Sequence, residues 1–534
     1  MGLVAARAPR PAGDEGPVTS PLPAPLHPVI LLSHRGPVSF DRDPSSDSRT
    51  ASRGAGGLVT ALTGLAGHLD DAVWVCVAGG AEDLAVAAEA DGGPFRLALE
   101  GEARVLTDDA PAQREVCVRL LDVPAEVHEP FYGVISNPLL WFVQHRLHDL
   151  KSSPALGRDE RAAFEDGYAV ANQLAADAVV EQVEAAGGRA LVLLHDYHFY
   201  LVGDLVRQRC PGALISHFVH IPWPGPDAWR VLPPAMRERL LLGLLGCDVV
   251  AFHTRADARA FVLCAQELLG LPVDLSAMTV QTAGRSVRVR AYPISIDLPA
   301  LEAISHTDAS DEHLLALDQG LHGGQLVLRV DRTDPSKNIV RGFLAYDLML
   351  AEHPELLGQV QFLALLQPSR QDVPEYATYL AEIGAAAAAV NAKHGTGTWQ
   401  PVDLRLASDM ALATAAYRRC DVLVVNAVAD GMNLVAKEAV VVNERDMVLA
   451  LSEATGAHDE LGRFAVTLHP FDVAQQADAL HEALTMPPQL RRERREHAAT
   501  VVARNDVRRW LSVQLQELAE LHRSAERASP IPGA

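Results

Sequence analysis

The stretch DVLVVNAVADGMNLVAKE, residues 421–438, decides how the fold reads. It opens as an apolar, β-branched run, breaks at Asp430-Gly431, and resumes as an apolar run with helical character. A continuous apolar run suits a strand covered on both faces of a parallel sheet; a half-exposed strand would alternate. A strand that turns through Asp-Gly straight into a helix leaves unpaired N–H groups at the helix start, which favour anions and hydroxyls. Asp430, Asn433, Lys437 and Glu438 all crowd this turn.

The same pattern extends in both directions. Strands are expected at 29–33, 73–79, 190–196, 213–221, 247–253 and 287–294, and a second series at 325–331, 360–368, 421–428, 447–453 and 464–470. Helical patterns such as RADARAFVLCAQELLG (255–270) and NIVRGFLAYDLMLAEHP (338–354) lie between them. This βαβ alternation predicts an α/β chain of two Rossmann-like, doubly wound domains facing a central cleft. The polar, helix-prone run 301–324 ends in Gly-Gly before a new strand, and is expected to link a first domain at 28–300 to a second at 325–486. Residues 487–522 read as charged helix with an apolar stripe, and 1–27 and 523–534 as disordered tails.

Composition narrows the classes. The 534 residues are 49% hydrophobic, as in globular chains, and 46 basic against 68 acidic residues leave a net charge of −22. That balance argues against nucleic acid and anionic membranes as partners, and an anionic ligand needs its cations gathered locally. The six cysteines have no metal-ligand spacing and read as buried free thiols of a reducing compartment. Prolines cut the N-terminal apolar run too early for a signal peptide, and no run is long enough to span a membrane, which points to the cytoplasm.

In doubly wound sheets ligands sit beyond the carboxyl ends of the strands. After the first strand come SHRGPVSF (33–40) and RGAGGLVTAL (53–62), where Gly56 and Gly57 would let a phosphate approach a helix N-terminus. A glycine-rich loop alone is a weak signal; Arg35 and Arg53 beside it strengthen it. HDYHFYLV (195–202) puts His195, Asp196 and His198 at a strand end. With no third ligand at suitable spacing, they suit hydroxyls better than a metal. HFVHIPWPGP (217–226) fixes His220 before a stiff loop, although a satisfied buried histidine explains that stretch equally well. VDRTDPSKN (330–338) sets Arg332 and Lys337 across one turn, a planar fork and a point charge suited to a diphosphate. Arg370 follows another strand. At the quoted turn, the amides of Gly431, Met432 and Asn433 suit a diphosphate or sugar hydroxyls, Asp430 accepts from hydroxyls, and Glu438 reaches a vicinal diol. Such a cluster describes a nucleotide-sugar site.

Together SHRGPV, GAGGLVTAL, FYGVISNPLLW, HDYHFYLV, HIPWP, GCDVVAFHT, YPISID, VDRTDPSKN, PSRQDV, DGMNLVAKE and SEATGA run in order through nearly the whole chain. They resemble the trehalose-6-phosphate synthases, retaining glucosyltransferases of the GT-B type. The resemblance implies transfer of glucose from UDP- or GDP-glucose to glucose 6-phosphate, giving α,α-trehalose 6-phosphate without metal or cofactor. It implies a diphosphate held by Arg332 and Lys337, and a glucose held by Asp430 and the amides of Gly431, Met432, Asn433 and Leu434. Glu438 would hold the ribose, and Gly57 would approach the donor from the other domain. Arg35, Tyr132, Trp141, Asp196 and Arg370 would bind the acceptor. His220 would lie beside the donor sugar, joining Arg332, Lys337 and Asp430 as the catalytic set. The C-terminal helix would pack back on the first domain; the oligomeric state, a homo-oligomer included, is left open.

Thr333, Asp334 and Pro335 stand where the family has Leu-Asp-Tyr, Asn338 where it has Gly, and His34 where it has Asn. VDRTDPSKN, HIPWPGPDAW and VNERD also resemble pseudo-glycosyltransferases, which join a nucleotide-activated cyclitol to an aminocyclitol phosphate. The intact Met-Asn-Leu-Val-Ala-Lys run favours a true glucosyltransferase. An inactive sugar-phosphate sensor would have lost donor-site charges, and Arg332, Lys337, Asp430 and Glu438 are all present.

Overall fold

The computed structural model describes residues 28–43, 48–53, 62–63, 72–98, 104–105 and 115–528. The apolar run VILLS forms the strand Val29–Ser33, buried throughout and paired in parallel with Ala72–Val77 on one side and Leu191–His195 on the other. From this starting strand the chain moves outward through Ala72–Val77 to Glu115–Leu121. It then returns to the opposite side for Leu191–His195, Leu214–Phe218, Val249–Phe252 and Arg285–Ala291, all parallel. That reversal opens a crevice beyond Ser33 and His195, the switch point at which such sheets bind ligands.

The second sheet repeats the plan. Gln325–Arg332 is laid down first, Val360–Gln367 and Val402–Leu406 follow on one side, and Val422–Val425, Val448–Ser452 and Val466–Leu468 on the other. The reversal between Gln325–Arg332 and Val422–Val425 brings the VDRTDPSKN turn beside the DGMN turn. Sequence patterning located these central strands. It did not mark the short antiparallel additions Phe95–Ala98, Arg104–Val105, Val273–Asp274 and Thr279–Thr282, or the separate hairpin Val38–Arg42/Arg49–Arg53.

Residues 301–324 are helical, as their pattern suggests, but they pack as part of the second domain and do not simply link the two. They fall into the helices Leu298–Ser305 and Asp308–Leu321, which pack on the second domain's helix Met410–Arg419. The cause is electrostatic: Asp311 and Asp318 accept from the buried Arg418 and Arg419, which also bond the carbonyls of Ser305 and Gly324.

The C-terminal region likewise differs from one helix followed by a tail. Pro488–Arg504 lies on the second domain, its Arg491 and Arg492 bonding Asp421 and Asp446. The chain breaks at Asn505 and continues as Val507–Ala528, through part of the expected tail. This last helix crosses to the first domain, where Glu517 meets Arg288 at 3.1 Å, Arg290 at 2.6 Å and the Tyr292 hydroxyl at 2.5 Å. Burial alone would raise the Glu517 carboxyl; the Tyr292 hydroxyl and the two guanidiniums outweigh it and hold it below the usual range. A depressed carboxyl stabilises the folded chain fully above its unfolded value, about 4.3, and that contribution fades as pH falls through the lower folded value. Glu517→Gln is therefore expected to lower the melting temperature at neutral pH, with the two melting curves converging on acidification.

Candidate active site

At the end of Gln325–Arg332 the chain tightens into the turn Pro335–Lys337. Asp334 caps it, its carboxylate accepting from the Ser336 amide at 3.0 Å and hydroxyl at 2.8 Å. Asn338 then adopts φ 59°, a left-handed conformation that asparagine tolerates better than most residues. Its side chain uses the position, donating to the carbonyls of Asn426 at 2.9 Å and Pro470 at 2.6 Å. The turn is thereby tied to the neighbouring strand ends, and Lys337 Nζ is set 2.5 Å from Asp430. Burial would lower Lys337 and raise Asp430, but each more than offsets this for the other: the lysine lies above its usual range, the aspartate below. The Arg332 guanidinium, by contrast, has no hydrogen bond or ion pair among the described residues. It lies 5.6 Å from the ring centre of Trp141.

On the adjacent turn Asn433 takes φ 81°, accepts from the Ala436 amide at 3.1 Å to cap Leu434–Val442, and donates to Asp430 at 3.1 Å. Among the described residues nothing accepts from the amides of Gly431, Met432 and Asn433. Glu438 accepts from Tyr417 at 3.2 Å, and burial raises its carboxyl. Lys437 turns away, bonding the Ile294 carbonyl and Glu460, so it fastens the two domains rather than facing the cleft. Gly431 touches the opposite wall: a Cβ there would lie 2.4 Å from the His220 carbonyl oxygen.

That wall belongs to the first domain. His220 Nε2 lies 3.0 Å from His195 Nδ1, and its amide donates to Asp196 at 3.3 Å. Asp196 holds φ 70°, a strained conformation for a non-glycine residue. Burial raises its carboxyl to about 6, against the amides of His220 and Tyr197 and the charges of Arg370 and Arg332. Trp510 of the last helix packs behind, 5.4 Å from Phe218 and 6.4 Å from His220. Trp510→Ala is expected to cost about 3–5 kcal/mol of stability and, by loosening His220, about tenfold in turnover. Trp510→Phe should restore most of both, measured by thermal unfolding and steady-state rates.

Arg370 spans the two domains. Its guanidinium bonds Tyr376 at 2.5 Å and Tyr197 at 2.8 Å, pairs with Asp334 at 3.5 Å, and lies 4.1 Å over Trp141. Burial would raise the Tyr132 hydroxyl; Arg370 and Arg35 beside it outweigh that and lower it. Arg35, Tyr132, Trp141, Asp196 and Arg370 are thus brought together, as are Arg332, Lys337, Asp430 and the turn 431–434. Gly56 and Gly57, and the side chain of Arg53, lie outside the described residues. Sequence reasoning missed Asp331, Asp334, Tyr197 and Tyr376, which hold the cations in place, and Arg329, a fully buried guanidinium bonding Asp331 and Asn426. Among the described residues His353, Glu355 and His481 are near enough to share an ion, but the two rings stack parallel at 3.6 Å, so their lone pairs do not converge.

The sequence profile of glycosyltransferase family 20 matches residues 27–520. The chain belongs to that family. Among similar proteins, the validamine 7-phosphate valienyltransferase of Streptomyces hygroscopicus subsp. jinggangensis is 30% identical over 94% of this chain and 97% of its own. The UDP-forming α,α-trehalose-phosphate synthase 2 of Aspergillus niger is 31% identical over 92% and 97%. The crystal structure of a UDP-forming α,α-trehalose-phosphate synthase from Burkholderia vietnamiensis, 30% identical, superposes with a TM-score of 0.77 over 93% of this chain and 98% of that one. The E. coli trehalose-6-phosphate structure with bound UDP-2-fluoro glucose, 26% identical, gives 0.75 over 92% and 98%. This family 20 glycosyltransferase is therefore a hexosyl-transferring enzyme with the GT-B fold, its two switch-point crevices forming opposite lips of one cleft. Among its described residues no helix is long and apolar enough to cross a membrane.

Proposed function

We propose that this enzyme transfers glucose from UDP- or GDP-glucose to glucose 6-phosphate with retention, giving α,α-trehalose 6-phosphate. The observation that carries the reading is the position of Trp141, which Arg332 and Arg370 approach at 5.6 and 4.1 Å. Two cationic groups, one at the donor lip and one beside Tyr132, thereby share one aromatic neighbour, which supports a departing diphosphate and an acceptor phosphate meeting in one cleft.

On this reading Arg332 and Lys337 neutralise the diphosphate as the anomeric C–O bond breaks, and the free amides of 431–433 add oriented dipoles. The acceptor hydroxyl attacks from the face the diphosphate leaves, and a phosphate oxygen of the leaving group takes its proton. The glycosyl group thus keeps its configuration with no nucleophile from the protein. Asp430 and Asn433 hold the glucose hydroxyls, Glu438 the ribose diol, and Asp196 the acceptor hydroxyls beside His220. No metal or other cofactor is needed, because the protein supplies the positive charge itself. The six free cysteines fit a reducing cytoplasm.

The VDRTDP turn and the valienyltransferase relative favour one second reading, coupling of a nucleotide-activated cyclitol to an aminocyclitol phosphate. Purified enzyme with glucose 6-phosphate and UDP-, GDP- or ADP-glucose separates the two. Trehalose 6-phosphate with both anomeric centres α by NMR is the expected product, and reaction only with cyclitol substrates would replace the first reading by the second.

A further inference from the structure

Three buried imidazole nitrogens beside the acceptor crevice have no hydrogen-bond partner among the described residues: Nε2 of His34 and both ring nitrogens of His198. Buried polar atoms without partners are costly, and where they cluster at a crevice a ligand is the natural complement. The two rings stack on each other at 4.5 Å, and His34 stacks on Tyr132 at 4.8 Å, with His128 5.4 Å from Tyr132 and 6.0 Å from His34. Tyr132 in turn sits against both Arg35 and Arg370. An asparagine, the residue to which the family resemblance assigns this position, could hydrogen-bond there but could neither join the stack nor take a proton.

Burial first, then His128, Arg35 and Arg370, hold His34 at about 3, and burial, His34 and the same guanidiniums hold His198 well below its usual value. Tyr132, Tyr197, Phe131 and Phe199 complete the surroundings. Both rings are therefore neutral at neutral pH, in a pocket whose facing charges are cationic. A bound dianion opposes those cationic neighbours, because a negative partner favours the protonated imidazole and gives it a second N–H to donate.

We propose that His34, backed by His198, completes the acceptor's phosphate subsite, so that this chain binds a dianionic phosphomonoester with uptake of a proton. The inference rests on the glucose 6-phosphate reading above and adds to it a residue that the reading did not include. Acceptor KM then rises with pH above neutrality, as the proton that must accompany the phosphate becomes scarcer.

The test is calorimetric titration of the whole enzyme with glucose 6-phosphate in two buffers of different ionisation enthalpy. At about pH 7.5 the phosphate, with its second ionisation near 6, is already dianionic. Net proton uptake is expected for the wild type and not for His34→Asn. That variant should raise acceptor KM about tenfold with donor KM unchanged and kcat within about twofold, and His198→Asn should shift KM in the same direction. Binding without proton uptake in the wild type, or uptake undiminished in His34→Asn, overturns the proposal while leaving the acceptor assignment intact, since glucose 6-phosphate still reacts. If glucose 6-phosphate is inert but inorganic phosphate binds with proton uptake, the subsite stands and the acceptor assignment falls.

Discussion

Alanine at Arg332 is expected to lower turnover about a hundredfold or more and to lower the melting temperature only slightly. Both halves follow from its surroundings. The Arg332 guanidinium makes no ion pair or hydrogen bond among the described residues and lies beside the Trp141 ring; its charge helps hold the buried carboxyls of Asp334, Asp196 and Asp331 down, so its removal costs a little stability, far less than removal of a bonded cation. Its charge is nonetheless held at the strand end between two doubly wound crevices, where a departing diphosphate would be neutralised. Alanine at Lys337 should cost a similar factor in rate, but with a larger stability penalty, because Asp430 and Asp331 lose the cation beside them. Without Lys337 the Asp430 carboxyl rises, so that penalty is largest at neutral pH and shrinks as acid protonates the carboxyl. Steady-state rates and melting curves at two pH values separate the variants. Wild-type turnover in Arg332→Ala would place the diphosphate elsewhere.

Gly431→Ala is expected to be nearly as damaging, for a steric reason. The backbone at Gly431 is not left-handed, so alanine is acceptable to the turn itself. What forbids it is the opposite wall: the new Cβ would sit 2.4 Å from the His220 carbonyl oxygen and 3.1 Å from the His253 ring. Neither the His220 backbone, held through its amide by Asp196, nor Gly456, packed under Gly431, can retreat. The donor lip must therefore stand off from the first domain, and a displacement of about 1 Å at a reacting pair costs about a hundredfold in rate. Nucleoside diphosphate binding should survive, since Lys337 and Arg332 are untouched. Calorimetry for binding and single-turnover rates for chemistry would display the split; undiminished turnover would mean that the cleft does not close through this contact.

Much of this architecture was legible because parallel strands covered on both faces must be apolar throughout. VILLS, ALVLLHD, QLVLRVD and DVLVVNAV announce themselves, and the turns that follow them carry the chemistry. TVQT and FRLA escaped notice, since short antiparallel strands next to a sheet's edge are specified by their neighbours rather than by their own pattern. That 301–324 belongs with the second domain was hidden, because the partners of its Asp311 and Asp318, Arg418 and Arg419, lie a hundred positions away in the chain. At the site, residues at the free ends of strands were visible, whereas the residues that aim them were not. Asp334 reads as part of a proline turn, Tyr376 as helix, and Arg329 as an interruption in an apolar strand. Each acquires its role only through a partner brought close by folding: Arg370 for the first two, Asn426 for the third.

Arg370 is anchored on the second domain, yet it bonds Tyr197 and covers Trp141 on the first. A receptor for the second substrate that is shared in this way is assembled only when both halves of the enzyme meet. Any motion that parts the halves would break the Tyr197 bond and uncover Trp141, and so would dismantle that seat at a stroke.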